Sequence, residues 1–295
     1  MTDDPAPEFA EFRASGRAIL DYQLKLLDRL IDEIAGAVGH PASEADRVTI
    51  WMLQALGVSI HSILKLTTDV DMAIRDCFGI ARSAAETAVN VAYINAKGPE
   101  TALRAVRHMR QKRWRDLKRT ANMNGIKFTV QRSIAESASD FPGLPEALDE
   151  FTNKKGQEVR DWTSDNIEQR IAEVGSISKS AAEALSGAIF TIYRPSSEIL
   201  HGSFYGVNYF WQGSLDRPVQ NREEFKYLWT YDHFVTLLSS AFFASRGAID
   251  AVATARSLPT YATLQIQADD MLRKLGGAMA EADPDPDNSF SATEA

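Results

Sequence analysis

The stretch Val48-Thr49-Ile50-Trp51-Met52-Leu53-Gln54-Ala55-Leu56-Gly57-Val58-Ser59-Ile60-His61-Ser62-Ile63-Leu64 carries no charge, and whether it spans a membrane or lines a core decides the fold. A span needs roughly 20 apolar residues. This run is shorter and is interrupted by Gln54, Ser59, His61 and Ser62, so it reads as the central buried helix of a water-soluble bundle. Ser43, just ahead of Glu44 and Asp46, supplies an N-cap for a helix reaching about Leu66, because its hydroxyl can accept from an amide of the first turn.

Helical periodicity continues on both sides of that run. Upstream, Ile19, Tyr22, Leu26, Leu27, Leu30 and Ile34 fall on one face of a helix from about Pro7 to Val38, which Gly39-His40-Pro41 stops. Downstream, a helix from about Asp69 to Ala96 sets Ile74, Phe78, Arg82, Glu86, Val89 and Tyr93 on one side and ends at Lys97-Gly98-Pro99. A fourth, from Pro99 to about Met123, carries a basic run. Asn124 to Gly175 is broken by Asn124-Gly125, Phe141-Pro142-Gly143-Leu144-Pro145 and Lys155-Gly156 into short helical pieces that form a cap. Ser178 to Ile192 is helical again, Pro195 interrupts or restarts it, and 206–221 reads as a loop. Helices from about Arg222 to Ala255 and Tyr261 to Ala280 complete the set. No run of β-branched alternation makes a convincing strand. The fold expected is all-α: one domain over residues 1–281, a single bundle of about eight to ten helices with an irregular helical cap. Residues 282–295, with Asp283-Pro284-Asp285-Pro286-Asp287, read as a disordered acidic tail.

A chain of 295 residues that is 44% hydrophobic is long enough for one substantial core. Cys77 is the only cysteine, which excludes an intramolecular disulfide framework and a cysteine-based metal cluster within one chain, and suits a reducing compartment. The acidic start Met1-Thr2-Asp3-Asp4-Pro5 lacks the parts of a signal peptide, so a cytoplasmic protein without a membrane partner is expected. The net charge of −8 weighs against a nucleic-acid partner. Much of it belongs to Glu281, Asp283, Asp285, Asp287 and Glu294, however, and the run Arg104, Arg107, Arg110, Lys112, Arg113, Arg115, Lys118 and Arg119 is opposed within its own span only by Asp116.

The residues best suited to chemistry lie in Tyr193-Arg194-Pro195-Ser196-Ser197-Glu198-Ile199-Leu200-His201-Gly202. Arg194 precedes a proline, which disfavours the α region there, so a helix rebuilt at Pro195 would start at Arg194. Glu198 and His201 share a face at a spacing of three, and His201 returns to the azimuth of Arg194 about 10 Å down the axis. On the earlier helix Arg82 and Glu86 share a face among small residues. Semi-buried charges need partners, and the natural ones are Glu198 for Arg82 and Arg194 for Glu86.

The pattern Arg82-Ser83-x-x-Glu86 followed by Tyr193-Arg194-x-x-Ser197-x-x-x-His201-Gly202 resembles a family of bacterial helical proteins catalogued as a domain of unknown function, over about Asp69 to Ser214. That resemblance implies a helical fold and no activity. More remotely, an arginine with six intervening residues before a histidine is similar to the HEPN ribonucleases of toxin and phage-defence systems, although Pro195 stands where that group commonly has a polar residue. The resemblance implies metal-independent RNA cleavage, often across a homodimer, with His201 as acid/base and Arg194 on the phosphate. Glu198 or Glu86 would orient them and Tyr193 would be an auxiliary donor, with Arg82 and Ser197 in support. The other reading is a non-catalytic sensor or partner-binding module, with an unidentified protein partner, in which Arg82, Glu86, Arg194, Glu198 and His201 form a buried network holding the bundle together.

The basic run divides the same way. Arg107, Arg115 and Lys118, with Trp114 among them, suit an RNA backbone by charge and stacking, or form a solvated helix face paired with acids elsewhere. No metal site and no cofactor are expected. Glu198-x-x-His201 has no second copy, as a di-iron bundle would require, and His61 and His108 stand alone. His233 beside Asp232 is given no role, since adjacent helical residues do not face each other. No Gly-x-Ser-x-Gly elbow, Walker loop or dinucleotide fingerprint occurs.

Overall fold

In the computed structural model, which describes residues 7–37, 42–69, 72–131, 137–213 and 218–282, the chain is an all-α bundle with one small hairpin attached. Helix α1 (Pro7–Ala37) buries Ile19, Leu20, Leu26, Leu27, Leu30 and Ile34. Helix α2 (Glu44–Leu66) starts where Ser43 Oγ accepts the Asp46 amide at 3.1 Å, as its sequence requires. It packs Leu53, Leu56, Ile60 and Ile63 toward α1 and α3 (Ile74–Lys97). The uncharged segment is nevertheless not the centre of the bundle: Trp51 is 62% and Val58 66% exposed on its outer side. By length and apolarity alone, α2 and α10 (Phe234–Ala255) are the two described helices able to cross a membrane, and α10 is the more deeply buried.

The centre is the pair α3 and α10, both in contact with α7 (Lys179–Leu200). Alanines make this possible. Ala81, Ala84, Ala85, Ala88 and Ala92 of α3 and Ala241, Ala244, Ala248 and Ala251 of α10 are all buried, and small side chains let helix axes come close. Polar ties lock the outer helices. Gln23 of α1 donates to Gln265 of α11 (Thr260–Ala282) at 3.0 Å in the interior, and Arg246 of α10 grips Asp269 through two bonds of 2.7 and 2.8 Å.

Four expectations are corrected. Helix α4 (Pro99–Asp116) stops before Met123, and the chain turns into an antiparallel hairpin, β1 (Lys118–Met123) and β2 (Ile126–Gln131). Asn124 and Gly125, both at positive φ (52° and 82°), make the tight turn, and positive φ at both central positions is what a type I′ two-residue hairpin loop demands. Helix α7 runs straight through Pro195, so Arg194 lies inside a helix and not at its start. A proline there removes one amide donor, and the buried Ser196 hydroxyl donates to the Tyr193 carbonyl at 3.1 Å within the same turn. The supposed loop at 206–221 begins as helix α8 (Phe204–Gln212), capped by Ser203. The long helix toward Ala255 is present as α9 (Arg222–Tyr227), a π-helical turn (Leu228–His233) and α10 in succession.

The cap between the hairpin and α7 consists of a 3-10 turn at Ala138–Asp140, α5 (Leu144–Glu150) and α6 (Ile167–Gly175). Residues 283–295, all but the first of the acidic tail that the sequence predicts over 282–295, lie outside the described residues.

Candidate functional site

The end of α7 shows why several motif residues stand where they do. His201 is the C-cap, and Gly202 follows at φ +62°, a left-handed conformation that glycine adopts without strain. Its amide donates to Ile199 O at 3.2 Å while the Ser203 amide donates to Glu198 O at 3.3 Å, the two bonds of a Schellman motif. Ser203 then starts α8 by accepting the Gly206 amide at 3.0 Å, and its hydroxyl donates to Glu198 Oε2 at 2.5 Å. A Cβ at Gly206 would overlap the Glu198 backbone carbonyl, so only glycine lets α8 fold back this closely. Arg75 Nη2 donates to the Ile199 carbonyl at 3.3 Å and ties the turn to α3.

The predicted cross-helix pairs do not form. Arg82 Nε donates to Glu86 Oε1 at 2.9 Å on its own helix, and the Arg82 guanidinium lies over the Tyr193 ring, 4.4 Å from its centre. Glu198 is turned to Ser203. A guanidinium can stack on an aromatic face while its edge holds a carboxylate. Arg82, Glu86 and Tyr193 thus form one unit, Glu198 and Ser203 another, and no single buried network joins the five charged residues.

Arg194 and His201 are left over. Both are exposed, and neither side chain has an ion-pair partner among the described residues. Arg194 has its guanidinium 5.9 Å from the centre of the Tyr205 ring. Ser197, half-buried between them, accepts the His201 amide at 3.0 Å through its carbonyl. Beside Arg194 a groove of about 990 Å³ opens between α6, α7 and α8, lined by Ile171, Phe190, Tyr193, Arg194, Tyr205 and Tyr209 among others. Phe190 and, at the start of α8, Phe204 are 89% and 84% exposed. The surface therefore offers one unneutralised cation, one imidazole about two helical turns away and several aromatic faces.

The sequence reading gives no role to Ser203, Tyr205 or His233. Ser203 after Gly202 is a helix-start signal following a helix-stop signal, and Tyr205 and Tyr209 are four apart on the helix it begins. His233 ends the π-helical turn, is fully buried, and packs against Phe78, Tyr209 and Phe210. Its Nε2 lies 2.9 Å from the Phe210 carbonyl, which can only accept, so Nε2 carries the proton and Nδ1 is a bare nitrogen without a hydrogen-bond partner among the described residues. Burial pushes its pKa below the ordinary value and the bond to Phe210 opposes this only in part. Burial also pushes the Tyr209 hydroxyl up, with Asp232 adding to the effect. Of the other histidines, His61 is exposed on α2, and His108 packs edge-on to Phe151 with its Nε2 3.1 Å from the Arg160 carbonyl.

Most of the basic run is neutralised. Arg104 and Arg107 both meet Glu150, Arg107 also meets Glu100 at 2.8 Å, and Arg110 bonds Glu44. Lys112 pairs with Glu158, and Arg119 lies 3.4 Å from Asp116. Arg115 donates to Thr152 Oγ1 at 2.9 Å and has no carboxylate within ion-pair distance among the described residues. The side chain of Lys118 lies outside the described residues. Among those residues no group of three or more His, Cys, Asp or Glu could hold a metal ion.

Fold and site together define an all-α bundle with Arg194 and His201 exposed, and without an ion-pair partner among the described residues, toward the end of α7. Residues 59–217 match the model of a family of unknown function, DUF5677, and the chain belongs to that family. The match runs from within α2 past the end of α8 and includes Arg82, Glu86 and every residue of the Tyr193–Gly202 motif. No curated protein and no solved structure matches the chain.

Proposed function

We propose that the protein is a metal-independent endoribonuclease, with the exposed side of α7 as its working face. The observation that carries this reading is that Arg194 and His201, seven residues apart toward the end of α7, are exposed without an ion-pair partner among the described residues, Arg194 beside a tyrosine-lined groove. A charged side chain that no opposite charge neutralises, on a surface rich in exposed aromatics, is well placed to meet a ligand. Tyr193, Tyr205 and Phe190 stack bases, since base–aromatic stacking tolerates any sequence, and Arg194 holds the phosphate through two N–H donors. His201 takes the 2′-hydroxyl proton. The 2′-oxygen then bonds to phosphorus, the P–O5′ bond breaks, and the leaving oxygen takes a proton from water or from a second acid supplied by a homodimer. Glu198 and Arg82 position this face from behind without touching RNA. A cytoplasmic location and a role in toxin or phage-defence systems accompany this reading.

A second reading has its own support. Glu86, Arg82, Glu198 and Gly202 are each explained by packing or capping alone, and the groove with Phe190 and Phe204 suits a protein partner equally well. Incubating the protein with labelled RNA in EDTA, beside Arg194→Ala and His201→Ala proteins, separates the two. Cleavage lost in both variants is the expected result, and intact RNA with all three proteins sinks the nuclease reading in favour of the partner-binding module.

A further inference from the structure

A second cavity, of about 810 Å³, lies at the foot of the hairpin, away from α7, between α4, β1, α5 and the segment joining Thr152 to Glu158. Three cations reach it, Lys112, Arg115 and Arg119, and two carboxylates, Asp116 and Glu158. The carboxylates are already committed. Glu158 pairs with Lys112, which together with Arg115 nearby holds its carboxyl below the usual range, and Asp116 faces Arg119. One positive charge is therefore in excess, and Arg115 carries it. Its Nη2 donates to Thr152, while its Nε–H is buried with no acceptor among the described residues. A buried guanidinium N–H without an acceptor is costly, and an exposed arginine such as Arg113 would escape the cost by solvation.

The wall beside Arg115 is the ring of Trp114, braced edge-on by Phe141 with ring centres 5.7 Å apart. Thr120 adds a hydroxyl. An aromatic plane next to an unneutralised guanidinium fits a ligand that joins a flat ring to an oxyanion, and the volume lies in the range of small-molecule sites. We infer that this cavity binds a nucleoside phosphate, the base lying on Trp114 and the phosphate on Arg115 and Arg119. The free nucleotide and the phosphorylated end of an oligonucleotide present the same chemistry. The inference does not depend on the α7 face, which shares no residue with this cavity.

Calorimetric titration of the whole protein with a nucleoside 5′-monophosphate, the matching nucleoside, inorganic phosphate and a 5′-phosphorylated oligonucleotide tests it. Because stacking contributes about 1–3 kcal/mol per base, the monophosphate is expected to bind at least about tenfold more tightly than phosphate. Trp114→Leu and Arg115→Gln should each weaken it at least about tenfold, while Arg194→Ala leaves it unchanged. Tighter binding of the oligonucleotide would identify a chain end as the physiological source, and equal binding the free nucleotide. Since Arg115 also anchors Thr152, Arg119→Ser serves in its place if Arg115→Gln does not fold. Absence of binding, equal affinity for phosphate and monophosphate, or unchanged affinity in Trp114→Leu overturns the inference whether or not RNA is cleaved at α7.

Discussion

Replacing Ser203 by alanine should separate the scaffold half of the motif from its free half. The hydroxyl has two jobs: it accepts the Gly206 amide at 3.0 Å as the N-cap of α8, and it donates to Glu198 Oε2 at 2.5 Å. Loss of an N-cap costs about 1 kcal/mol. The bond to the carboxylate is charge-assisted, but Glu198 is only half-buried and water partly replaces the donor, so it adds at most about 1 kcal/mol. A total of about 1–2 kcal/mol corresponds to a fall in Tm of about 2–6 °C for a chain of this size. Arg194→Ala and His201→Ala remove exposed side chains without ion-pair partners among the described residues and should each change stability by less than about 0.5 kcal/mol. Differential scanning calorimetry of the three variants beside the unaltered protein reads all of this in one series. A Ser203→Ala protein that melts with the unaltered one, or an Arg194→Ala protein that loses several degrees, would refute the division of the motif into a structural turn and a free pair.

Gly206→Ala places a methyl against the Glu198 backbone, which no rotamer can relieve, and should cost about 1–3 kcal/mol, seen as a lowered urea midpoint. Tyr261 donates to Glu33 at 3.0 Å, and burial, reinforced by that carboxylate, raises its pKa from 10.0 to about 12. The folded state then holds a proton that the unfolded state has released, so stability present below pH 10 is lost as pH rises toward about 12, and urea titrations of Tyr261→Phe should show a shallower loss in that window. His233 is the opposite case. Its folded pKa lies below the ordinary 6.5, so the unfolded state takes up the extra proton, and stability present above pH 6.5 declines as pH falls below it. In His233→Gln, which keeps a donor for the Phe210 carbonyl, stability measured from pH 7 down to pH 5 should depend less on pH than in the unaltered protein.

Sequence periodicity located the helices well because their apolar faces are long and interrupted by strong stops, as at Lys97-Gly98-Pro99, where α3 ends and α4 begins. It misjudged α2, since a lack of charge does not say which side a helix buries: Trp51 and Val58 face outward although both lie within the uncharged run. The hairpin was legible and went unread. Ile126-Lys127-Phe128-Thr129-Val130-Gln131 alternates strictly after Asn124-Gly125, but its apolar residues stay exposed, so it lacks the buried face that usually makes a strand persuasive. Pro195 misled because local preference says that a helix restarts there, whereas packing against α3 and α10 carries α7 through it. At the site, sequence spacing put Arg194 and His201 about two turns apart on one helix, and α7 runs unbroken from Arg194 to its C-cap at His201. Which carboxylate meets which arginine was beyond it, because Arg82 and Glu86 satisfy each other within one helix before any neighbour is needed.

The proposed cleavage of RNA by Arg194 and His201 is tested most directly by the nature of the cut ends. A cleavable RNA oligonucleotide and the same oligonucleotide with a single 2′-deoxynucleotide at the cut position would be incubated with the protein in EDTA. If His201 removes the 2′-proton, the all-RNA strand ends in a 2′,3′-cyclic phosphate and the substituted strand survives at that position. Cutting of the substituted strand at the same bond, or products ending in a 3′-hydroxyl, would contradict the account.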